Sequence, residues 1–334
     1  MAPPHAIRKA EVSEEEDEQN SSASYPRGMP PQISRLTLRQ LEYALAVAED
    51  GTMAGAGERL NVSQSAVSLA IAELERALGA QLFTRRKAKG VALTGVGRAI
   101  LPEIRNLLAQ AGDLQSTARS LGQSVDGTLA LGCYPTLTPF VVPRILSEFP
   151  RRHPSVDIDL FEGAVDEIQE RLLDGRCEVA LMYETGILPE VSTTLLYTLR
   201  PYVILPADHR LARQDDPIAL ADLREEPMVM PDMPPSEDLY REILSSADVH
   251  PEVRFRTTTS ESVRSLVACG AGYALVLQRP SPAMTYAGLP LKYREIADDV
   301  RGVDVVLAHA GAARLTRRAR AFSDFCRQVL AAAA

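Results

Sequence analysis

The stretch LTLRQLEYALAVAEDGTMAGAGERLNVSQSAVSLAIAELERALGAQLFTRRKAKGVALTGVG, residues 36–97, carries the most information in the chain. Thr37 stands three residues before Gln40 at the head of an apolar-periodic run, the spacing of a capping box. Leu36 and Leu41 are placed as a hydrophobic staple over the same helix start. Leu41, Ala44, Leu45 and Ala48 then share one helical face until Gly51 ends the run. A second, short helix over 52–60 is built of Ala54, Gly55, Ala56 and Gly57, small enough for two helices to cross closely. Asn61 and Val62 form a turn, Ser63 caps a third helix, and Val62 with Val67 makes a second staple.

The third helix has two faces. Val67, Ile71, Leu74 and Leu78 form a core stripe, while Gln64, Ser65, Ser68, Leu69 and Ala72 lie opposite. Short polar side chains near a helix N-terminus suit approach to base edges, with the helix dipole turned toward phosphate. Gln64 can read adenine through two hydrogen bonds, Ser65 and Ser68 can contact bases or phosphates, and Leu69 can touch thymine methyls. Arg85, Arg86, Lys87 and Lys89 follow on a short hairpin that Gly90 allows to turn. Alone, such a run reads as a solvated surface loop. Behind a capped helix-turn-helix it reads as a phosphate or minor-groove clamp on double-stranded DNA.

Residues 94–121 predict one long helix with a near-continuous apolar seam: Ile100, Leu101, Ile104, Leu107, Leu108, Ala111 and Leu114. Pro102 should kink it or sit in an early turn. A seam this apolar needs cover, from an antiparallel helix of a second subunit or from the chain's own C-terminal region. Beyond a hinge-like 122–127, strands predicted over 128–134, 156–161 and 178–183 alternate with helices over 139–149 and 165–173. A second set follows: strands at 203–206, 228–230, 253–258 and 273–277, with helices at 239–247 and 261–269. A strand at 303–308 and a helix at 316–330 close the chain. Alternation of this kind argues for parallel sheets covered by helices.

The N-terminal motif resembles the DNA-binding domain of LysR-type transcriptional regulators, and the resemblance extends over about 36–330. Its C-terminal landmarks are Phe149 to Pro154, Gly175-x-x-Glu178-Val179-Ala180 and Gly270-x-Gly272. Leu69 stands where many members carry Arg, Glu178 replaces the more usual Asp, Ala164 stands where a hydroxyl is common, and the wing is about one residue longer. The resemblance implies an α/β chain with an N-terminal all-α winged helix-turn-helix (35–94), a linker and dimerisation helix (95–121) and a periplasmic-binding-protein-like effector domain (127–334). Its subdomains are then about 127–200 with 278–334, and about 201–277. It further implies a dimer or dimer of dimers, a small-molecule effector and RNA polymerase as partner. No cofactor and no metal are expected.

In open α/β sheets a ligand binds at the carboxyl ends of strands. The first strand ends at Thr136-Leu137-Thr138, where two hydroxyls beside free backbone N–H groups suit a carboxylate; capping explains one hydroxyl equally well. Facing candidates are Tyr202, Asp232 and the helix start Thr259-Ser260; Asp232 would instead favour an amine, so the ligand's charge stays open.

Composition bounds the rest. The 334 residues are 46% hydrophobic and 24% charged, with a formal net charge of −8. An acidic protein that binds DNA must concentrate its positive charge locally, as the wing does. Residues 1–34, with EEEDE at 14–18, read as a disordered acidic extension. There is no apolar run of membrane-spanning length and no signal-peptide pattern, so a cytoplasmic protein is expected, with no membrane partner. A transport receptor would need such a signal. An enzyme would need a nucleophile elbow, a P-loop, a zinc-protease helix or a dinucleotide fingerprint, and none is present. Cys133, Cys177, Cys269 and Cys326 lack metal or disulfide spacing; Cys133 and Cys269 lie in apolar runs and read as buried rather than redox-sensing.

Overall fold

The computed structural model describes residues 36–86, 90–119, 125–213, 216–234, 236–311 and 313–330. The acidic extension, Lys87 and Lys89 lie outside them. The N-terminal module comprises α1 (Leu38–Asp50), α2 (Met53–Arg59), α3 (Gln64–Leu78), β1 (Phe83–Arg86) and β2 (Gly90–Leu93). Thr37 accepts from the Gln40 N–H while the Gln40 side chain accepts from the Thr37 N–H, so the capping box is complete. Ser63 caps α3 by accepting from the Ala66 N–H. Both staple pairs, Leu36 with Leu41 and Val62 with Val67, belong to the same apolar core. Gly57 lets α2 meet the turn: a Cβ there would lie 2.8 Å from the Val62 carbonyl oxygen. Gly90, at φ +80°, seats the wing on the end of α1, where the Val91 N–H donates to the Gly51 carbonyl.

The linker is α4 (Gly95–Arg119), with Pro102 inside it. Its seam divides. Ile100, Ile104 and Leu108 pack into the core of the N-terminal module, whereas Val96, Leu107 and Leu114 stay exposed, Leu114 by 72%. The helix also docks on the chain's own C-terminal region. Arg105 donates to the Asp174 carbonyl at 2.8 Å, and Asp113 accepts from the Arg317 N–H at 2.7 Å.

The C-terminal region begins with β3 (Asp126–Cys133), α5 (Thr138–Arg152), β4 (Ser155–Glu162), α6 (Val165–Leu173), β5 (Val179–Tyr183) and β6 (Val191–Leu199). It continues through β7 (Tyr202–Pro206), β8 (Met228–Pro231), α7 (Ser236–Ser246), β9 (Val253–Thr257) and α8 (Ser260–Ala268). It closes with β10 (Ala274–Val276), β11 (Leu291–Glu295), β12 (Val303–Ala310) and α9 (Arg317–Val329). One sheet has the order β4-β3-β5-β12-β6, and a second has the order β10-β7-β11, with β8 and β9 paired beside it.

Two corrections follow. The sheets are mixed: β3 runs parallel to β4 and β5, but β12 is antiparallel to β5 and β6, and β7 is antiparallel to both its neighbours. The return to the first sheet also lies later than residue 278. Strand β11 pairs along the whole of β7, so the second subdomain runs to Glu295 and the chain re-enters the first sheet at Val303. The crossings are therefore the short Arg200-Pro201 link and residues 296–302.

Candidate functional site

The first candidate surface is the exposed face of α3. Val67, Ile71 and Leu74 are buried against α1 and α2, which turns Gln64, Ser65, Leu69 and Ala72 to solvent and leaves Ser68 half-buried. Leu69 is 61% exposed, too much for a core residue. The Ser65 hydroxyl lies 2.9 Å from the Ser63 hydroxyl, so it is held beside the helix cap. A groove of about 350 Å³ separates α3 from the wing and is lined by Ser68, Ala72, Gln81 and Thr84 among others. In the wing backbone, Arg85 pairs with Val91 and Arg86 with Gly90.

Two residues not picked out from sequence fix this geometry. One oxygen of Glu75, on α3, accepts from the Leu82 N–H at 2.7 Å and the Phe83 N–H at 3.0 Å, so the helix itself holds the start of the wing. Thr94 donates to the Gln81 carbonyl at 2.7 Å and accepts from the Gly97 N–H, coupling the wing to the start of α4. The carboxylate seven residues before Leu82 was the available signal.

The second candidate surface lies between the two subdomains. The Tyr134 hydroxyl donates across it to the Pro234 carbonyl at 3.3 Å. Gln278 donates through Nε2 to the Tyr183 hydroxyl at 3.3 Å, and Tyr183 lies 3.0 Å from the Thr136 hydroxyl. Tyr202 donates to the Gln278 carbonyl. The Gln278 amide nitrogen can only donate, so Tyr183 accepts from it, and its own proton is free to go to Thr136. In that arrangement the Thr136 O–H is the donor left over for a ligand. Burial pushes the Tyr183 phenol up despite its bonds to Thr136 and Gln278, so it remains a neutral link.

The sequence-derived residues fare differently here. Thr136 and Tyr202 are joined through Tyr183 and Gln278. Leu137 is a core side chain, 0% exposed. The free N–H groups expected beside it are engaged, since Leu137 and Thr138 both donate to the Tyr134 carbonyl, at 2.9 and 3.2 Å. The Thr138 hydroxyl turns back to that same carbonyl, and neither threonine caps α5. Asp232 follows β8 at the strand end that faces Tyr134, its N–H bound to the Thr257 carbonyl and Arg256 close enough to feel its charge. Thr259 caps α8, accepting from the Ser262 N–H and donating to the Ser262 hydroxyl, while Ser260 is exposed. Cys269 is exposed at the C-cap of α8, against the reading that buried it; Cys133, Cys177 and Cys326 are buried. Among the described residues, no helix is long and apolar enough to cross a membrane.

Residues 38–98 match the family model of bacterial regulatory helix-turn-helix proteins of the lysR family, and residues 122–331 match that of the LysR substrate binding domain. The uncharacterized HTH-type transcriptional regulator YvbU of Bacillus subtilis is 31% identical over 260 residues, covering 77% of this chain and 85% of that protein. Among solved structures, HinK, a LysR family transcriptional regulator from Pseudomonas aeruginosa, is 30% identical with a TM-score of 0.60, over 88% of this chain and 98% of that one. The C-terminal domain of a probable LysR family transcriptional regulator from a Rhodococcus species is 39% identical with a TM-score of 0.59, over 60% of this chain and 99% of that one.

Proposed function

This chain belongs to the LysR family of DNA-binding transcriptional regulators, and from that membership we propose which of its surfaces read DNA and which bind the effector. The family is one of regulators, not enzymes; its members bind DNA and small-molecule effectors and act as oligomers. In our reading α3 enters the major groove, Gln64, Ser65, Ser68 and Leu69 meet base edges, and Arg85, Arg86, Lys87 and Lys89 clamp the adjacent backbone. The observation that carries this is the solvent-facing, capped N-terminal half of α3 beside the wing. The effector lies between the subdomains, with the Thr136 hydroxyl as donor and Tyr202, Asp232, Thr259 and Ser260 around it.

Two chains pair through the exposed strip of α4, with Leu107 and Leu114 one heptad apart, and pairs assemble further into a dimer of dimers. The protein works in the cytoplasm and contacts RNA polymerase at the promoters it controls. The test is binding of the full-length protein to the DNA upstream of its own gene, against a scrambled fragment. Gln64→Ala or Ser68→Ala is expected to cost about 1–3 kcal/mol on the specific fragment only. Unchanged specific binding in both variants removes α3 from the groove.

A further inference from the structure

A cavity of about 120 Å³ lies where the linker helix docks on the first subdomain, away from the cleft between subdomains. That is well above the ~10–15 Å³ one water requires. Arg105, Asn106 and Ala109 of α4 form one wall, and β3, the segment from the end of α6 to Glu178, and the approach to and start of α9 form the other.

Three arginines, Arg105, Arg314 and Arg318, line it against one carboxylate, Glu178. Glu178 is already covered: Arg318 donates to it at 2.8 Å and Thr316 at 2.6 Å. Arg105 commits one nitrogen to the Asp174 carbonyl, and another lies 3.7 Å from Glu49, at the end of α1. Arg314 is exposed and carries no hydrogen bond or ion pair among the described residues. Arg318 is also met by Asp113 at 3.5 Å, so the positive charge left without a carboxylate at the cavity is that of Arg314. Its remaining walls are small and apolar: Ala109, Ala130, Ala319, Leu172 and Leu315.

We propose that this cavity is a second ligand site, for a short-chain monocarboxylate, distinct from the effector cleft. A carboxylate matches the planar fork of a guanidinium, and a short alkyl body suits alanine walls that would desolvate a dianion without compensation. Because the walls come from two modules, occupancy favours the docked linker. Arg105 also faces Glu49, so the docked linker is tied to the DNA-binding module.

The test is calorimetric titration of the full-length protein with propionate, against sodium chloride at equal ionic strength and against inorganic phosphate. Saturable propionate binding is expected, weakened at least tenfold by Arg314→Gln, which alters only an exposed side chain. Ala109→Leu, which fills the cavity, should abolish it, and Thr136→Ala, in the cleft, should leave it intact. The proposal is overturned if propionate behaves like chloride, if phosphate binds more tightly, or if Arg314→Gln binds as the wild type does. Loss on Thr136→Ala also overturns it, by assigning the carboxylate to the cleft.

Discussion

Replacing Glu75 separates geometry from charge at the proposed DNA surface. One of its oxygens holds the Leu82 and Phe83 N–H groups at 2.7 and 3.0 Å, and those two residues are only 2% and 7% exposed. Glu75→Ala leaves both donors without an acceptor where water reaches poorly. A hydrogen bond to a charged group is worth about 1.5–3 kcal/mol, and two that share one oxygen do not add fully, so we take about 2–4 kcal/mol for the pair. That is below a typical domain stability of about 5–15 kcal/mol. The wing should therefore come loose while the fold survives. Glu75→Gln removes the same charge but keeps a carbonyl acceptor, and should lose roughly 1 kcal/mol.

Electrostatics alone predicts that both variants bind DNA more tightly, because each removes a negative charge near phosphate. The geometry predicts that Glu75→Ala binds about tenfold or more weakly, as a loss of about 1.4 kcal/mol would give. Glu75→Gln should stay near wild type. Fluorescence anisotropy of the full-length protein on a labelled operator, with amide exchange at Leu82 and Phe83, reads both effects. Tighter binding in Glu75→Ala with both amides still protected would refute the reasoning.

Neutralising Arg86 and Lys87 together should weaken binding to every sequence and reduce the salt slope by about 1.8, since each released phosphate contact contributes about 0.9. An unchanged slope makes the wing plain surface. Tyr183→Phe leaves Thr136 and Gln278 without their shared partner, so urea unfolding should show a loss of about 1–3 kcal/mol and effector binding should weaken. Equal stability and affinity would break the proposed chain of hydroxyls. Burial pushes the Cys133 thiol up to about 12 and Cys177 up to about 11. Below the unfolded value of about 8.5 both states are protonated and stability is complete. Above it the unfolded chain ionises first, so stability declines as pH rises toward the folded values. Cys133→Ala should flatten that decline by about 1.4 kcal/mol per pH unit, and a slope identical to wild type counts against the burial. At pH 8, native protein should expose one rapidly reacting thiol, Cys269, to a disulfide reagent.

Local signals were legible in the sequence and non-local ones were not. The Thr37–Gln40 box, the Ser63 cap and the core stripe of α3 depend on residues three or four apart, and each formed as spaced. The long linker helix was legible too, but not the division of its seam between its own module and solvent. Strand β11, LKYRE, mixes polar and apolar residues after a Pro-rich segment and is defined by its pairing with β7, some ninety residues earlier. The Tyr134–Tyr183–Gln278 cluster was missed for the same reason: the Tyr134 N–H reaches the Leu181 carbonyl only once β3 and β5 pair. Leu137 was misjudged because sequence places a residue at a strand end without saying which way its side chain turns.

The two subdomains share two separate strands of chain. Arg200-Pro201 is short, with one φ fixed by the proline ring, and residues 296–302 form the other connection. A paired attachment resists sliding and twisting and leaves one soft rotation, about the axis through both connections. Under that constraint the proposed cleft would act as a caliper: the width of whatever lay between Thr136 and Asp232 would become an angle, and the far ends of the two sheets would magnify it. Ligands of similar chemistry but different breadth would then set different angles, and graded output from one binding site would need no second switch.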